Sequence, residues 1–111
     1  MISVTFVRRA ADRRIVSFKV SGHANYAKAG KDIVCAGVSA ITVGTVNAVE
    51  ALVSLKLPYT MKDGWLSSEI PVQPDQETDD KVQLLLESMA VMLGTIATSY
   101  RKYVTIHEQL L

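Results

Sequence analysis

His23 and Cys35 are the residues of this sequence best suited to act together on a carbonyl group. They lie twelve positions apart in SGHANYAKAGKDIVCAGVSA, residues 21–40, and Cys35 is the only cysteine among 111 residues. A thiolate attacks carbonyl carbon. An imidazole beside it stabilises the thiolate and then protonates the leaving amine. Asp32 stands just before an apolar run that starts at Ile33, and its carboxylate suits a helix N-cap. With Asp32 as cap, Cys35 is the third helical residue. The positive end of the helix dipole and the unpaired first-turn amides favour a thiolate there. The same amides are placed to hold the oxyanion of an acyl-transfer intermediate. A second role is open to Asp32, that of orienting His23 as the third member of a triad. Spacing alone also leaves plainer readings open. A lone cysteine near the start of an apolar helix is often a small buried hydrophobe, and a lone histidine at a strand end is often a hydrogen-bonded surface residue.

Other chemistries fit less well. A phosphate-binding GxxxxGK[ST] loop would need glycine at Asn25 and Ser or Thr at Asp32, so Gly30-Lys31 does not make one. Cys35, His23 and the distant His107 lack the paired spacing of a zinc site, and no metal is expected. Net charge is only +1. The charge is divided, however, with seven basic groups and one acid in residues 1–31 against five and ten in residues 32–111. Arg8, Arg9, Arg13 and Arg14 could touch phosphates as the edge of a non-catalytic, ribosome- or RNA-associated binding module. With no aromatic platform beside them, direct nucleic-acid binding is not expected. A single cysteine forms no internal disulfide, which suits a reducing, cytoplasmic setting. The N-terminal stretch lacks the order of a signal peptide. The apolar run from Ile33 to Leu55 is long enough for a membrane span, but Asn47 and Glu50 interrupt it. A buried core helix is expected instead, and no membrane partner.

Several elements must position His23 and Cys35. Residues 2–8 and 15–21 alternate apolar and polar, as two half-buried strands of a hairpin do. Gly22 ends the second. Residues 24–31 have no period and read as a mobile loop. Val34, Val38, Ile41, Val49 and Leu52 follow helical spacing in a helix ended by Pro58, with Gly37, Gly44, Ala48 and Ala51 as a small-residue stripe for close approach by another backbone. That helix is apolar around most of its circumference, which a small chain struggles to cover and which points to a homodimer. Asp63-Gly64 predicts a primed hairpin turn between two short strands, with Tyr59 and Trp65 as packing residues. Acidic residues after Pro74 open a second long helix whose inward stripe reads Val82, Leu85, Met89, Leu93, Ile96 and Tyr100. Gln83 and Glu87 read as outward. Residues 103–107, YVTIH, read as a last strand or as continued helix. The predicted fold class is α/β (α+β) in a single domain, residues 1–111. It has two layers, in which a small, mostly antiparallel sheet from two β-hairpins is covered by two long helices. The order is ββαββα with a C-terminal strand in question.

Gly22-His23-Ala24 followed by Gly30-Lys31-Asp32-Ile33-Val34-Cys35-Ala36-Gly37-Val38-Ser39-Ala40 closely resembles the ribosomal-processing cysteine protease (Prp) family. The likeness extends over the whole chain, including Tyr-x-x-Tyr-Val at residues 100–104. It implies a small dimeric endopeptidase. The implied reaction removes a short N-terminal extension, aromatic just before the cut bond, from a bacterial large-subunit ribosomal protein, the one numbered twenty-seven. That precursor would be the peptide substrate. The resemblance implies Cys35 as nucleophile and His23 as its proton partner, with Asp32 in an orienting or capping role. It implies Asn25, Tyr26, Lys28, Gly30 and Lys31 as parts of a lid over the substrate. It implies no metal or organic cofactor.

Overall fold

The computed structural model describes residues 1–111, and its N-terminal hairpin forms where the alternation predicts. β1 (Ile2–Arg8) turns Ile2, Val4, Phe6 and Arg8 into the core. β2 (Ile15–Ser21) runs antiparallel to it, with Phe6 opposite Phe18 and Val4 opposite Val20. The register slips by one between Val7 and Arg8, leaving Val16 as an extra residue on β2. The slip puts Ile15 on the core side with Phe18, against simple alternation, and both are buried. At the slip the Ile15 N–H donates to Gln83 Oε1, and the Ile15 carbonyl accepts from Gln83 Nε2, each at 2.9 Å.

Three further strands complete the sheet: β3 (Tyr59–Lys62), β4 (Trp65–Glu69) and β5 (Val104–Leu110). The strand order is β3-β4-β2-β1-β5. All pairings are antiparallel except β1 with β5, so the sheet is mixed. β5 settles the choice left open at residues 103–107: only Tyr103 stays outside it, and it runs to Leu110. The hairpin turn is not the primed type expected from Asp63-Gly64. Only Gly64 (φ +67) has positive φ there, whereas that type needs it at both central residues.

Two helices, α1 (Ile33–Val53) and α2 (Gln76–Ser99), cover one face of the sheet and share its core of eighteen buried residues. α1 stops at Ser54, which adopts the left-handed conformation and donates its N–H to Glu50 O, four residues before Pro58. Leu52 is exposed, not inward. Of the two stripe glycines, Gly37 meets the Ile96 side chain of α2, whereas Gly44 faces open space. The buried face of α2 is Asp79, Val82, Leu86, Met89 and Leu93. It is turned from the predicted stripe, so that Leu86 rather than Leu85 is fully buried.

The turn of α2 has an electrostatic counterpart. Arg8 leaves β1 on the core side and needs countercharge. Its guanidinium binds both Glu87 oxygens (2.8 and 2.6 Å) and Glu108 of β5 (2.6 Å). Arg14 pairs with Asp79 at 3.0 Å, both side chains at most one-tenth exposed. Gln83 and Glu87 therefore reach onto the hairpin rather than standing free on the outer face, with Glu87 still nearly half exposed. Arg9 pairs with Asp12. Three of the four arginines of the basic hairpin are thus engaged in ion pairs within the fold.

Candidate active site

Gly22 ends β2 with φ +91. A side chain there would collide with the carbonyl oxygen of Met1, so the position admits little else. The next three contacts set the site. Gly22 N–H donates to Gly64 O at 2.9 Å, which ties the end of β2 to the β3–β4 turn. His23 lays its ring tip against that turn, with Nε2 only 2.7 Å from where a Cβ on Gly64 would stand and 3.8 Å from Asp63 Oδ1. Ala24, itself buried, donates its N–H to Cys35 Sγ at 3.3 Å. The imidazole is about half exposed, and no hydrogen bond joins it to the sulfur in this state.

Cys35 lies in the first turn of α1, as the cap predicts. Asp32 Oδ1 accepts from the amides of Val34 and Cys35 at 3.0 Å each, while Oδ2 accepts from Tyr26 (2.9 Å) and Ala27 (3.2 Å). Partial desolvation works against this carboxylate, but the amides of Cys35, Ala27, Tyr26 and Val34 together outweigh it and hold the carboxyl below its usual range. Asp32 is therefore the cap and a staple for the preceding loop, and no hydrogen bond or ion pair joins it to His23. One expectation is corrected here. The amides of Val34 and Cys35 are taken by this carboxylate and that of Ala36 by the Asp32 carbonyl, so they are not free to hold an oxyanion.

The loop from Asn25 to Lys31 has no regular structure, yet it is tethered. Asn25 adopts φ +56, Lys31 N–H donates to Lys28 O, and Gly30 has φ +84. Tyr26 packs edge-on against Tyr100 (5.6 Å between centroids) and Tyr103 (5.1 Å), beyond the end of α2. Asn25, Gly30 and Lys31 line a cavity of about 600 Å³ that opens on Cys35. Tyr26 and Lys28 do not line it. A second cavity of about 310 Å³ lies between α1 and the β3–β4 hairpin, walled by Ile2, Val20, Val38, Val43, Met61 and Leu66 among others. His23, Cys35, Ser39 and Asp63 line both cavities, so the imidazole and the thiol stand on the ridge between two grooves. Ser39, one turn beyond Cys35, and the Asp63-Gly64 turn were not read as site residues. Trp65, read as packing, is over a third exposed on the rim, under Lys19 Nζ at 5.3 Å from its ring. No group of three or more His, Cys, Asp or Glu side chains is arranged to hold a metal ion.

A family model described as cysteine protease Prp matches residues 1–105. The chain belongs to the Prp family of cysteine proteases. Over 103 residues it is 44% identical to the ribosomal processing cysteine protease Prp of Bacillus subtilis (strain 168), covering 91% of each chain. The fold matches the ribosomal processing protease Prp of S. aureus, crystallised with a covalently linked product peptide, at TM-score 0.87 and 30% identity. That match covers 98% of this chain and all of the other. It matches SMU.848 from Streptococcus mutans at TM-score 0.84 and 32% identity, covering 100% and 96%. Two helices over a five-stranded mixed sheet are thus the architecture of Prp proteins.

Proposed function

We propose that this protease removes the N-terminal extension of a bacterial large-subunit ribosomal protein, the one numbered twenty-seven, with Cys35 as nucleophile and His23 as proton carrier. The observation that carries the assignment of roles is that these two side chains share the ridge between two grooves, where a peptide crossing from one groove to the other passes over both. The relatives' description as ribosomal processing proteases supports the substrate class, and the peptide covalently linked to the S. aureus relative fits acyl chemistry. The apolar groove is of a kind to receive the aromatic side chains implied to precede the cut bond.

Cys35 thiolate attacks the carbonyl carbon and its electron pair forms the C–S bond, leaving charge on the carbonyl oxygen. Collapse of that intermediate breaks the C–N bond, and the imidazolium of His23 gives its proton to the departing amine. Water then attacks the thioester while His23 accepts a proton from it. Breaking the C–S bond frees the carboxyl product and regenerates the thiolate and imidazolium pair. The loop from Asn25 to Lys31 acts as the lid, closing over bound peptide. The enzyme works in the cytoplasm without a cofactor. It works as a homodimer, through the outer helical face where Leu84 and Val91 are each about 70% exposed.

The test is incubation with the extended ribosomal precursor, read by mass spectrometry. The shortened protein is expected with the wild type, none with Cys35→Ala, and at least about a hundredfold less with His23→Ala. Normal cleavage by Cys35→Ala would overturn the assignment.

A further inference from the structure

We infer that Asp63, in the β3–β4 turn, is the carboxylate that positions His23 for catalysis. The role rests on His23 and Cys35 being the reactive pair. Asp32, nine positions along from His23, does not supply it, since each of its oxygens already accepts two backbone amides. Asp63 is the one carboxylate within 4 Å of the imidazole, its Oδ1 lying 3.8 Å from Nε2.

The ring's orientation follows from the contact with Gly64. A Cβ there would stand 2.7 Å from Nε2 and 3.3 Å from both Cδ2 and Cε1, so the ring meets the turn end-on through Nε2. Nδ1 is on the far side of the ring and is the nitrogen left for the sulfur. Glycine at position 64 is what allows this approach. The Gly22 to Gly64 hydrogen bond makes the turn and the residue before His23 one mechanical unit, so the turn cannot drift from the ring it steadies.

In this structure the contact is slack, because Asp63 is almost fully solvent-exposed and water screens such pairs. Asp63 nevertheless lines both grooves with Cys35. A peptide lying across the ridge covers it and removes that water, and the attraction strengthens as the local dielectric falls. The Nε2–H then points at Asp63, and Nδ1 is aimed at the sulfur when the proton has to move. A carboxylate acting in this way is felt in kcat and little in KM.

Steady-state cleavage of a precursor-derived peptide tests this with Asp63→Ala and Asp63→Asn. Asp63→Ala should lower kcat about tenfold or more with KM within twofold, and leave the melting temperature unchanged. Asp63→Asn, whose amide oxygen still accepts from Nε2–H, should recover part of the loss. Three results would overturn the inference: kcat of Asp63→Ala within twofold of wild type, a loss confined to KM, or Asp63→Asn no better than Asp63→Ala. A wild-type protein that cuts no precursor peptide would instead remove the proposed function, and this role with it.

Discussion

At Asp32, one carboxylate organises two segments, since Oδ1 receives the amides that start α1 and Oδ2 the amides of Tyr26 and Ala27 in the preceding loop. Replacing it with alanine should lower the melting temperature by a few degrees, as loss of an N-cap does. It should also make residues 25–31 severalfold more sensitive to limited proteolysis, which mass mapping of the fragments would show. Gly22→Ala should destabilise more, by about 1–3 kcal/mol in urea unfolding. It combines positive φ with a clash against Met1, and the strand end carrying His23 has nowhere to retreat. Residue types and local spacing singled out His23, Cys35 and Asp32 as candidates, because cap, thiol and imidazole lie within one short stretch, but the same spacing left plainer readings open and the proposed roles lean on the resemblance. Asp63 was not legible as a site residue. Its partner is forty positions away in sequence, and the Asp-Gly pair is fully explained by a hairpin. The helix-start amides misled for a related reason: a cap that satisfies them also removes them from the chemistry.

The elements themselves were legible wherever one face simply alternates or repeats. They were misread where a side chain from another element settles the outcome. α2 is the clearest case. Leu84, Leu85 and Leu86 are consecutive, and composition cannot say which faces inward. Arg8 and Ile15 decide it, by drawing Glu87 and Gln83 onto the hairpin. Leu86→Ala should therefore cost about 2–5 kcal/mol of unfolding free energy, as for a fully buried leucine. In protein dilute enough to be monomeric, Leu84→Ala, on the exposed side of the protomer, should stay within about 0.5 kcal/mol. Equal losses in chemical denaturation would contradict this orientation. β5 was ambiguous because strand pairing to β1 lies almost the whole chain away.

Over the whole molecule, the acidic and basic halves meet inside the fold. The Arg14 guanidinium holds the Asp79 carboxyl below its usual range against partial desolvation, with help from the Gln73 amide, and Arg8 does the same for Glu87. A carboxyl depressed in the folded state contributes stability above its unfolded value, near pH ~4, and that contribution is lost as pH falls through the folded value. Asp79→Asn should cost about 1–3 kcal/mol at pH 7. The gap from wild type should narrow steadily in urea titrations below pH ~4, and a gap independent of pH would contradict the linkage. For the proposed dimer, Leu84→Glu with Val91→Glu should yield a monomer by light scattering while secondary structure by circular dichroism is retained. The pairing of Ile2–Arg8 with Val104–Leu110 bears on how the molecule comes into being. A strand one in from the edge of the sheet waits for a neighbour that follows all the other elements described here in chain order. Until then the nascent polypeptide carries an open β-edge. Met1, which leads into that strand, abuts Gly22 beside His23, so closing this edge is expected to steady the backbone on which the proposed site is built.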